Sequence, residues 1–404
     1  MPRLVHTADV HLHPDAPERR DALAAVLDEA ESAEADVVTI GGDLFEDESA
    51  AERLRPELRS LFADRPFPVL VIPGNHDREA FEGDAFFGAA VRPATAEPFE
   101  QFTVANGSIR LTCVPYTRTL SDDLLVALRD RDPFDGLDCL LLHCSLEAPG
   151  AAEAGAGEEA PTRYAPITRS ALAALEFDVV LAGHYHGASR VELPAASGSA
   201  GTFVYPGTPA SVTRSETGRR SIAVVDAGDT PQIRLQELDA FHYDELALTV
   251  RPGEADDVLA TVREQVESWA ELNATAADGS RSPAAGIVEP EITVEGFVDR
   301  DETAFAESLA AACGDVPFEN RTRSVAALLD HPIYREFEAR LDDETVAGAV
   351  EGAGVAESWY AGESPGEDAD TAGSATYDPE ELREDARERV LAAMADLAAS
   401  GDLT

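Results

Sequence analysis

Asp9-Val10-His11, Gly42-Asp43, Gly74-Asn75-His76-Asp77, His143 and Gly183-His184-Tyr185-His186 follow one another along this chain. Each contributes a carboxylate, an amide or an imidazole, the oxygen and nitrogen donors that Mn²⁺, Fe²⁺ and Zn²⁺ accept. Any one of these motifs arises by chance, and an isolated His is commonly a surface or satisfied core residue. Placement carries the reading, because each motif stands at the C-terminal end of an apolar run. The set predicts a two-metal phosphoesterase centre. Two ions roughly 3.5–4 Å apart clamp the attacking and leaving oxygens of an in-line displacement. Such a pair needs a bridging carboxylate, and Asp43 is the candidate. Asp9 and His11, spaced i and i+2, leave a strand end on one face and suit the first ion, joined by His186. Asn75, His143 and His184 suit the second, and the neutral amide of Asn75 limits the negative charge near an incoming phosphate. His76 follows Asn75 and should point elsewhere, which makes it the candidate general acid for the leaving oxygen. Asp77 either orients His76 or bonds the loop backbone. The nucleophile is expected to be a metal-bound hydroxide, since bound water deprotonates near neutral pH.

The elements that must present these groups read as alternating strands and helices over residues 3 to about 240. Leu4-Val5 opens a strand that ends at Asp9, and Val37 to Ile40 and Val69 to Ile72 are two more, closed by Gly41-Gly42 and Pro73-Gly74. Helical spacing covers Ala16 to Ala33, and a second helix runs near Ser49 to Phe62. Phe102 to Val104 and Ile109 to Val114, split by Asn106-Gly107, predict a hairpin. Cys139 to Leu142, Val179 to Leu181, Gly201 to Tyr205, Ser221 to Val225 and Ile233 to Leu235 are further strands. In open α/β sheets, sites form at the C-terminal ends of strands, and Asp9, Asp43, Asn75, His143 and His184 all fall there.

From about Tyr243 the pattern becomes a β-α-β-α module: strand Ala247 to Val250, helix Ala255 to Leu272, strand Ile292 to Phe297, helix Glu302 to Ala312. Ser324 to Leu341 is helical except at Pro332, which should break or kink it. Three stretches, Ala148 to Pro161, Pro194 to Ser199 and Asn273 to Gly286, read as loops, and Glu351 to Ala375 as a flexible linker. A last helix, Pro379 to about Ser400, carries Leu382, Ala386, Val390, Met394 and Leu397 as an apolar stripe. Lying beyond a linker, it has no obvious core to join, and docking onto a partner is the expectation. The domain division is 1–240, 241–323 and 324–404.

Composition sets the remaining bounds. The chain has 404 residues and 44 % hydrophobic content, enough for one large α/β domain with a smaller one or two. No apolar run is long enough for a transmembrane helix. The N-terminus enters a strand without a signal-peptide pattern, so a cytoplasmic location without membrane attachment is expected. Asp and Glu total 78 against 31 basic residues, all of them Arg, for a net charge of −47. A charge of this size repels itself at ordinary salt. At about 1 M salt the Debye length falls to roughly 3 Å, so the simplest reading is adaptation to a molar-salt interior, as in proteins of extremely halophilic archaea. Acidity then does not exclude a nucleic-acid substrate. Cys113, Cys139, Cys144 and Cys313 form no C-x-x-C pair and read as buried thiols.

The five motifs resemble those of the calcineurin-like metallophosphoesterase superfamily, whose pattern is D-x-H, G-D, G-N-H-D/E, H and G-H-x-H. The resemblance implies an α/β sandwich of two mixed β-sheets flanked by helices, with a small α+β cap and C-terminal helices. Within it, Asp9-Val10-His11-Leu12, Gly42-Asp43-Leu44-Phe45, Gly183-His184-Tyr185-His186 and Tyr205-Pro206-Gly207-Thr208-Pro209 resemble the Mre11/SbcD DNA-repair nucleases. That branch implies Mn²⁺, DNA ends as substrate for a 3′–5′ exonuclease and single-strand endonuclease, a homodimer, and a Rad50/SbcC-like ATPase bound through the C-terminal helices. The alternative is a general metallophosphoesterase acting on a small phosphodiester or a phosphoprotein. His13 departs from the branch pattern and reads as an exposed loop residue. For holding phosphates, Arg110, Arg118, Arg163, Arg190, Arg214, Arg219 and Arg220 are at hand, with Arg214 the substrate-binding candidate.

Overall fold

A computed structural model of the chain describes residues 1–82, 86–147, 164–194, 200–228, 230–278, 287–341 and 379–403. The chain divides into two units, Met1–Asp244 with Ala270–Glu289, and Glu245–Trp269 with Pro290–Thr404.

In the first unit the strands are β1 (Arg3–Thr7), β2 (Val37–Ile40), β3 (Val69–Val71), β4 (Val91–Pro93), β5 (Glu100–Val104), β6 (Ile109–Cys113), β7 (Leu137–His143), β8 (Leu146–Glu147), β9 (Ile167–Thr168), β10 (Val179–Gly183), β11 (Ser189–Glu192), β12 (Thr202–Tyr205), β13 (Ser221–Asp226) and β14 (Gln232–Glu237). They form two six-stranded sheets, ordered β14-β13-β1-β2-β3-β4 and β11-β12-β10-β7-β6-β5. Both are mixed. β1, β2, β3 and β4 run parallel, β13 pairs antiparallel to β1, and β14 pairs antiparallel to β13. β6, β7, β10 and β12 run parallel, with β5 and β11 antiparallel at the edges. The expected hairpin is β5–β6, with Asn106 at φ 55° in the turn.

Strand periodicity sorts the side chains into layers. Leu4, Val37, Leu70, Leu111, Cys139, Leu141, Val179 and Leu181 pack into one core. Their chain neighbours Val5, Val38, Val69 and Val71 face a second core with helices α1 (Pro17–Ser32) and α2 (Glu48–Leu61). Leu140, Leu142, Val180 and Ala182 face a third, with α3 (Asp122–Arg129) and α4 (Arg169–Ala173). Burial on both faces explains why the strands read as unbroken apolar runs. Arg110 and Asp138 are the charged exception: the guanidinium donates to the carboxylate through Nε at 2.8 Å and Nη2 at 2.6 Å, and Arg131 Nε adds a third bond at 2.8 Å.

The other unit contains β15 (His242–Val250) and α5 (Ala255–Asp278) in part, then β16 (Val288–Val298), α6 (Glu302–Cys313), β17 (Phe318–Ser324), α7 (Ala326–Leu329), α8 (Pro332–Leu341) and α9 (Pro379–Ser400). Three differences from the sequence reading stand out. The sheet has a third strand, β17, parallel to β16. Helix α5 continues past Leu272, into a segment rich in the strong helix former Ala. There Asn273 bonds the backbone of Val288, accepting from its N at 2.9 Å and donating to its O at 3.2 Å. The break expected at Pro332 is present: one helix ends at Leu329 and Pro332 opens the next, since the first helical turn needs no donor there. Helix α9 also has a core to join: Leu391 and Met394 are buried with Phe297, Val325, Leu328 and Tyr334. The expected loop at Ala148 to Pro161, most of that at Pro194 to Ser199, and the linker Glu351 to Ala375 lie outside the described residues. Among the described residues no helix is long and apolar enough to cross a membrane.

Candidate metal centre

Parallel strands in each sheet deliver their C-terminal ends to one place. Asp9 and His11 follow β1, Asp43 follows β2, Asn75 and His76 follow β3, His143 ends β7 and His184 follows β10. The loops are tied to one another: Asp9 N donates to Gly42 O at 3.1 Å and His11 N to Asp43 O at 3.0 Å. His143 crosses between the sheets, its Nδ1 2.8 Å from Gly41 O.

The backbone at these positions is unusual. Asp9, His11 and Asp43 have φ of 52°, 49° and 49°, and His184 has φ 112°. Non-glycine residues seldom hold positive φ, and such conformations gather at functional sites. Glycine is required beside them. A Cβ on Gly42 would strike the His143 ring, and one on Gly74 would overlap the Asp43 carboxylate.

The side chains converge. Ligand atoms of Asp9, His11 and Asp43 all lie within 4.8 Å of one another, and those of His11, Glu46 and His76 do likewise. Asp43 Oδ2 is 3.3 Å from His143 Nε2, which is also 2.8 Å from Asn75 Oδ1. Asp43 Oδ1 accepts from His76 N at 2.9 Å. The Asp9 carboxylate accepts from His184 N at 2.9 and 3.0 Å. The His184 ring lies 5.4 Å from His143, and the His11 ring 5.0 Å from His186 and 4.9 Å from His76. Asp9, His11, Asp43, His143, His184 and His186 are buried, while His76 keeps a side chain 28 % exposed.

The electrostatics suit cations. Burial pushes the Asp9 carboxyl up, with Asp43 adding repulsion against the attraction of His143. For Asp43 burial acts in the same direction, but His143, with His11 and His76, outweighs it and holds the group well below the usual carboxylate range. Burial opposes charge on His143, yet Asp43 and Asp9 push it up to about 9. Two buried carboxylates in mutual repulsion are stabilised by cations. Both ring nitrogens of His11 are buried without a hydrogen bond and can supply a donor atom. The residues therefore fit two divalent ions with nitrogen and oxygen ligands.

Of the two alternatives for Asp77, the structure shows the loop-backbone bond. Its Oδ1 accepts from Gly74 N at 2.7 Å and its Oδ2 from Phe45 N at 3.1 Å, so its oxygens are occupied by amides and not by the His76 ring. Burial, with repulsion from Asp43, raises its pKa to about 7. The arginines differ most from expectation. Arg214 is exposed, paired with Glu289 and stacked 5.1 Å from Tyr243. Arg110 is buried on Asp138, Arg219 is paired with Glu237 and Asp239, and Arg220 bonds the His186 carbonyl. Arg190 donates to Ile233 O at 2.9 Å, while Arg118 is exposed. Arg163 lies outside the described residues. His13 lies after β1 as a half-buried residue bridged to Ala16, not as the exposed loop residue expected, its Nδ1 accepting from Asp15 N at 3.2 Å.

Two carboxylates escaped the sequence reading. Glu46 follows Gly42-Asp43-Leu44-Phe45 and lies 3.3 Å from His11 Nδ1 and 3.9 Å from His76 Nδ1. Contact with His11 takes its pKa down to about 2 against the opposing effect of burial. Glu216, a lone acid in the Arg214–Arg220 run, is 2.7 Å from His186 Nδ1. Burial would raise it, but His186 and the Val212 amide bring it to about 2.

Residues 2–188 match the model of the calcineurin-like phosphoesterase family. The search of curated proteins finds no match. Among solved structures, TT1561 of Thermus thermophilus is similar at 15 % identity over 56 % of this chain and 98 % of that one, with a TM-score of 0.37. A dimetal phosphatase from Danio rerio is similar at 11 % identity over 59 % and 96 %, with a TM-score of 0.39. Purple acid phosphatase PPD1 from yellow lupin is similar at 13 % identity over 58 % and 51 %, with a TM-score of 0.40. All three are distant likenesses. The pair of mixed sheets flanked by helices is consistent with the calcineurin-like metallophosphoesterase fold.

Proposed function

We propose that this chain, whose residues 2–188 match the calcineurin-like phosphoesterase family, is a dinuclear metal-dependent phosphodiesterase that processes DNA ends in the manner of Mre11/SbcD nucleases. The observation that carries the hydrolytic reading is the convergence of Asp9, His11, Asp43, Asn75, His143, His184 and His186 from the ends of both sheets. Asp9, His11 and His186 would hold one cation, Asn75, His143 and His184 the other, with Asp43 between them; Mn²⁺ is the proposed ion. When bound, the cations supply Lewis-acid activation of the phosphoryl group and the attacking water.

This chain's own residues do the rest. His76, partly exposed beside His11, delivers a proton from its imidazole to the leaving oxygen. Its backbone bond to Asp43 Oδ1 fixes its place relative to the bridging carboxylate. The Gly41 carbonyl holds the proton of His143 on Nδ1 and so directs Nε2 inward.

The DNA-substrate reading rests on the resemblance of the Tyr205-Pro206-Gly207-Thr208-Pro209 turn to that of the Mre11/SbcD nucleases. Thr208 N donates to His186 O at 3.2 Å, and Tyr205 Oη donates to Cys144 O at 2.7 Å. The turn thus braces the loops carrying His186 and His143. A homodimer, a Rad50/SbcC-like ATPase partner and a molar-salt cytoplasm belong to the same proposal. One observation favours the second reading, a small phosphodiester or a phosphoprotein: Arg110, Arg190, Arg214, Arg219 and Arg220 are engaged by acids or carbonyls, which leaves fewer cations for a phosphate backbone.

The test is Mn²⁺-dependent cleavage of linear double-stranded and single-stranded DNA in about 2–3 M KCl, a range that screens the acidic surface. A small phosphodiester runs in parallel, with His76→Ala and Asp43→Ala as controls. DNA cleavage lost in both variants is expected. Hydrolysis of the small ester alone would replace the nuclease reading with a general phosphoesterase.

A further inference from the structure

If the histidines of the centre hold divalent cations, as proposed above, Glu46 and Glu216 gain a role that none of the sequence motifs assigns. Glu216 Oε1 is hydrogen-bonded to His186 Nδ1 at 2.7 Å, and Glu46 Oε2 forms an ion-pair contact with His11 Nδ1 at 3.3 Å, outside hydrogen-bond geometry. The two imidazoles meet edge on, 5.0 Å apart. A carboxylate at Nδ1 keeps the ring proton there, makes Nε2 the electron-pair donor and raises its basicity. His143, in the other half of the centre, has the neutral Gly41 carbonyl at its Nδ1, 2.8 Å away, with Asp9 Oδ1 farther off at 3.9 Å.

Both carboxylates are themselves held in place. Arg19 Nη1 donates to Glu46 Oε2 at 3.1 Å and to the His11 carbonyl at 2.8 Å. Arg19 Nη2 reaches Val212 O at 3.3 Å, and Val212 N donates to Glu216 Oε2 at 2.9 Å. One arginine therefore links the loop after β2 to the loop that carries Glu216.

We propose that Glu46 and Glu216 are positioning residues that fix the ring tautomer and direction of His11 and His186, so that the cation shared by Asp9, His11 and His186 binds more tightly than the one shared by Asn75, His143 and His184. Carboxylates in this outer position typically change metal affinity about 10–100-fold.

The experiment is a Mn²⁺ titration of the metal-free full chain by calorimetry, with Mn²⁺ electron paramagnetic resonance as a second readout. Two unequal steps are expected for the wild type. Glu216→Gln and Glu46→Gln should each weaken the tighter step about 10–100-fold and leave the weaker step in place. Glu46 has a side chain 36 % exposed, so Glu46→Gln decides the matter if Glu216→Gln does not fold. A wild type that binds no Mn²⁺ would sink the metal-centre reading itself. A wild type that binds two ions, with variants that bind as well as it does or lose only the weaker step, would overturn the role of the two carboxylates and leave the metal centre standing.

Discussion

His6 makes the stability of the metal-free protein depend on pH in a direction that its surroundings dictate. It is fully buried, with Nδ1 3.0 Å from Thr39 Oγ1 and Nε2 3.2 Å from Ala182 O, so it joins β1 of one sheet to β10 of the other. Burial lowers its pKa from 6.5 to about 4, against two hydrogen bonds that act the other way. Below pH 6.5 the unfolded chain takes up a proton that the folded one refuses until about pH 4. Stability from this group is therefore complete above 6.5 and is lost as pH falls toward 4. At about 1.36 kcal/mol per pKa unit, the loss across the window is roughly 3 kcal/mol, a large share of the ~5–15 kcal/mol typical of a domain. His6→Gln retains hydrogen-bonding groups and cannot titrate. Asp77, raised to about 7, works in the opposite sense, its contribution being lost as pH rises through that value, but it is common to both proteins and cancels in the comparison. Urea unfolding of chelator-treated wild type and His6→Gln in molar KCl, at steps from about pH 7 to 4.5, should show the wild type losing about 2–3 kcal/mol more than the variant. Parallel stability curves would refute the buried neutral imidazole.

Three other outcomes follow from the same contacts. Gly74→Ala places a methyl group on the Asp43 carboxylate, so Mn²⁺ affinity measured by calorimetry should fall at least about 10-fold; unchanged affinity would mean that Asp43 is not a ligand. Leu391→Ala removes a side chain 1 % exposed from the α9 packing and should cost about 2–5 kcal/mol of stability; a difference under about 0.5 kcal/mol, the range of surface substitutions, would detach α9 from this core. With a net charge of −47, raising KCl from about 0.2 M to about 2 M should raise the melting temperature as the Debye length shrinks to a few ångströms; a flat or falling melting curve would remove charge repulsion as the limit on stability.

Apolar patterning made most strands of the two sheets legible because strands buried on both faces leave unbroken runs such as Val37–Ile40 and Cys139–Leu142, whereas their division into two sheets came from the family resemblance. Placement of Asp9, Asp43, Asn75, His143 and His184 at strand ends was legible for the same reason. Features set by tertiary contact were not. β17 reads Phe-Glu-Asn-Arg-Thr-Arg-Ser, and only Thr322 is buried, so alternation gives no signal on this edge strand. The arginines look available in a linear reading, yet with 78 acidic residues in the chain most of those described near the centre are already taken. Glu46 and Glu216 resemble any other surface acid until the fold brings them to His11 and His186.

A crystal of the full chain soaked in Mn²⁺ and measured at the manganese absorption edge tests the dinuclear centre most directly. Two anomalous peaks about 3.5–4 Å apart are expected, with Asp43 between them, Asp9, His11 and His186 around one, and Asn75, His143 and His184 around the other. A single peak, or peaks that lie away from these side chains, would contradict a dinuclear centre at the meeting of the two sheets.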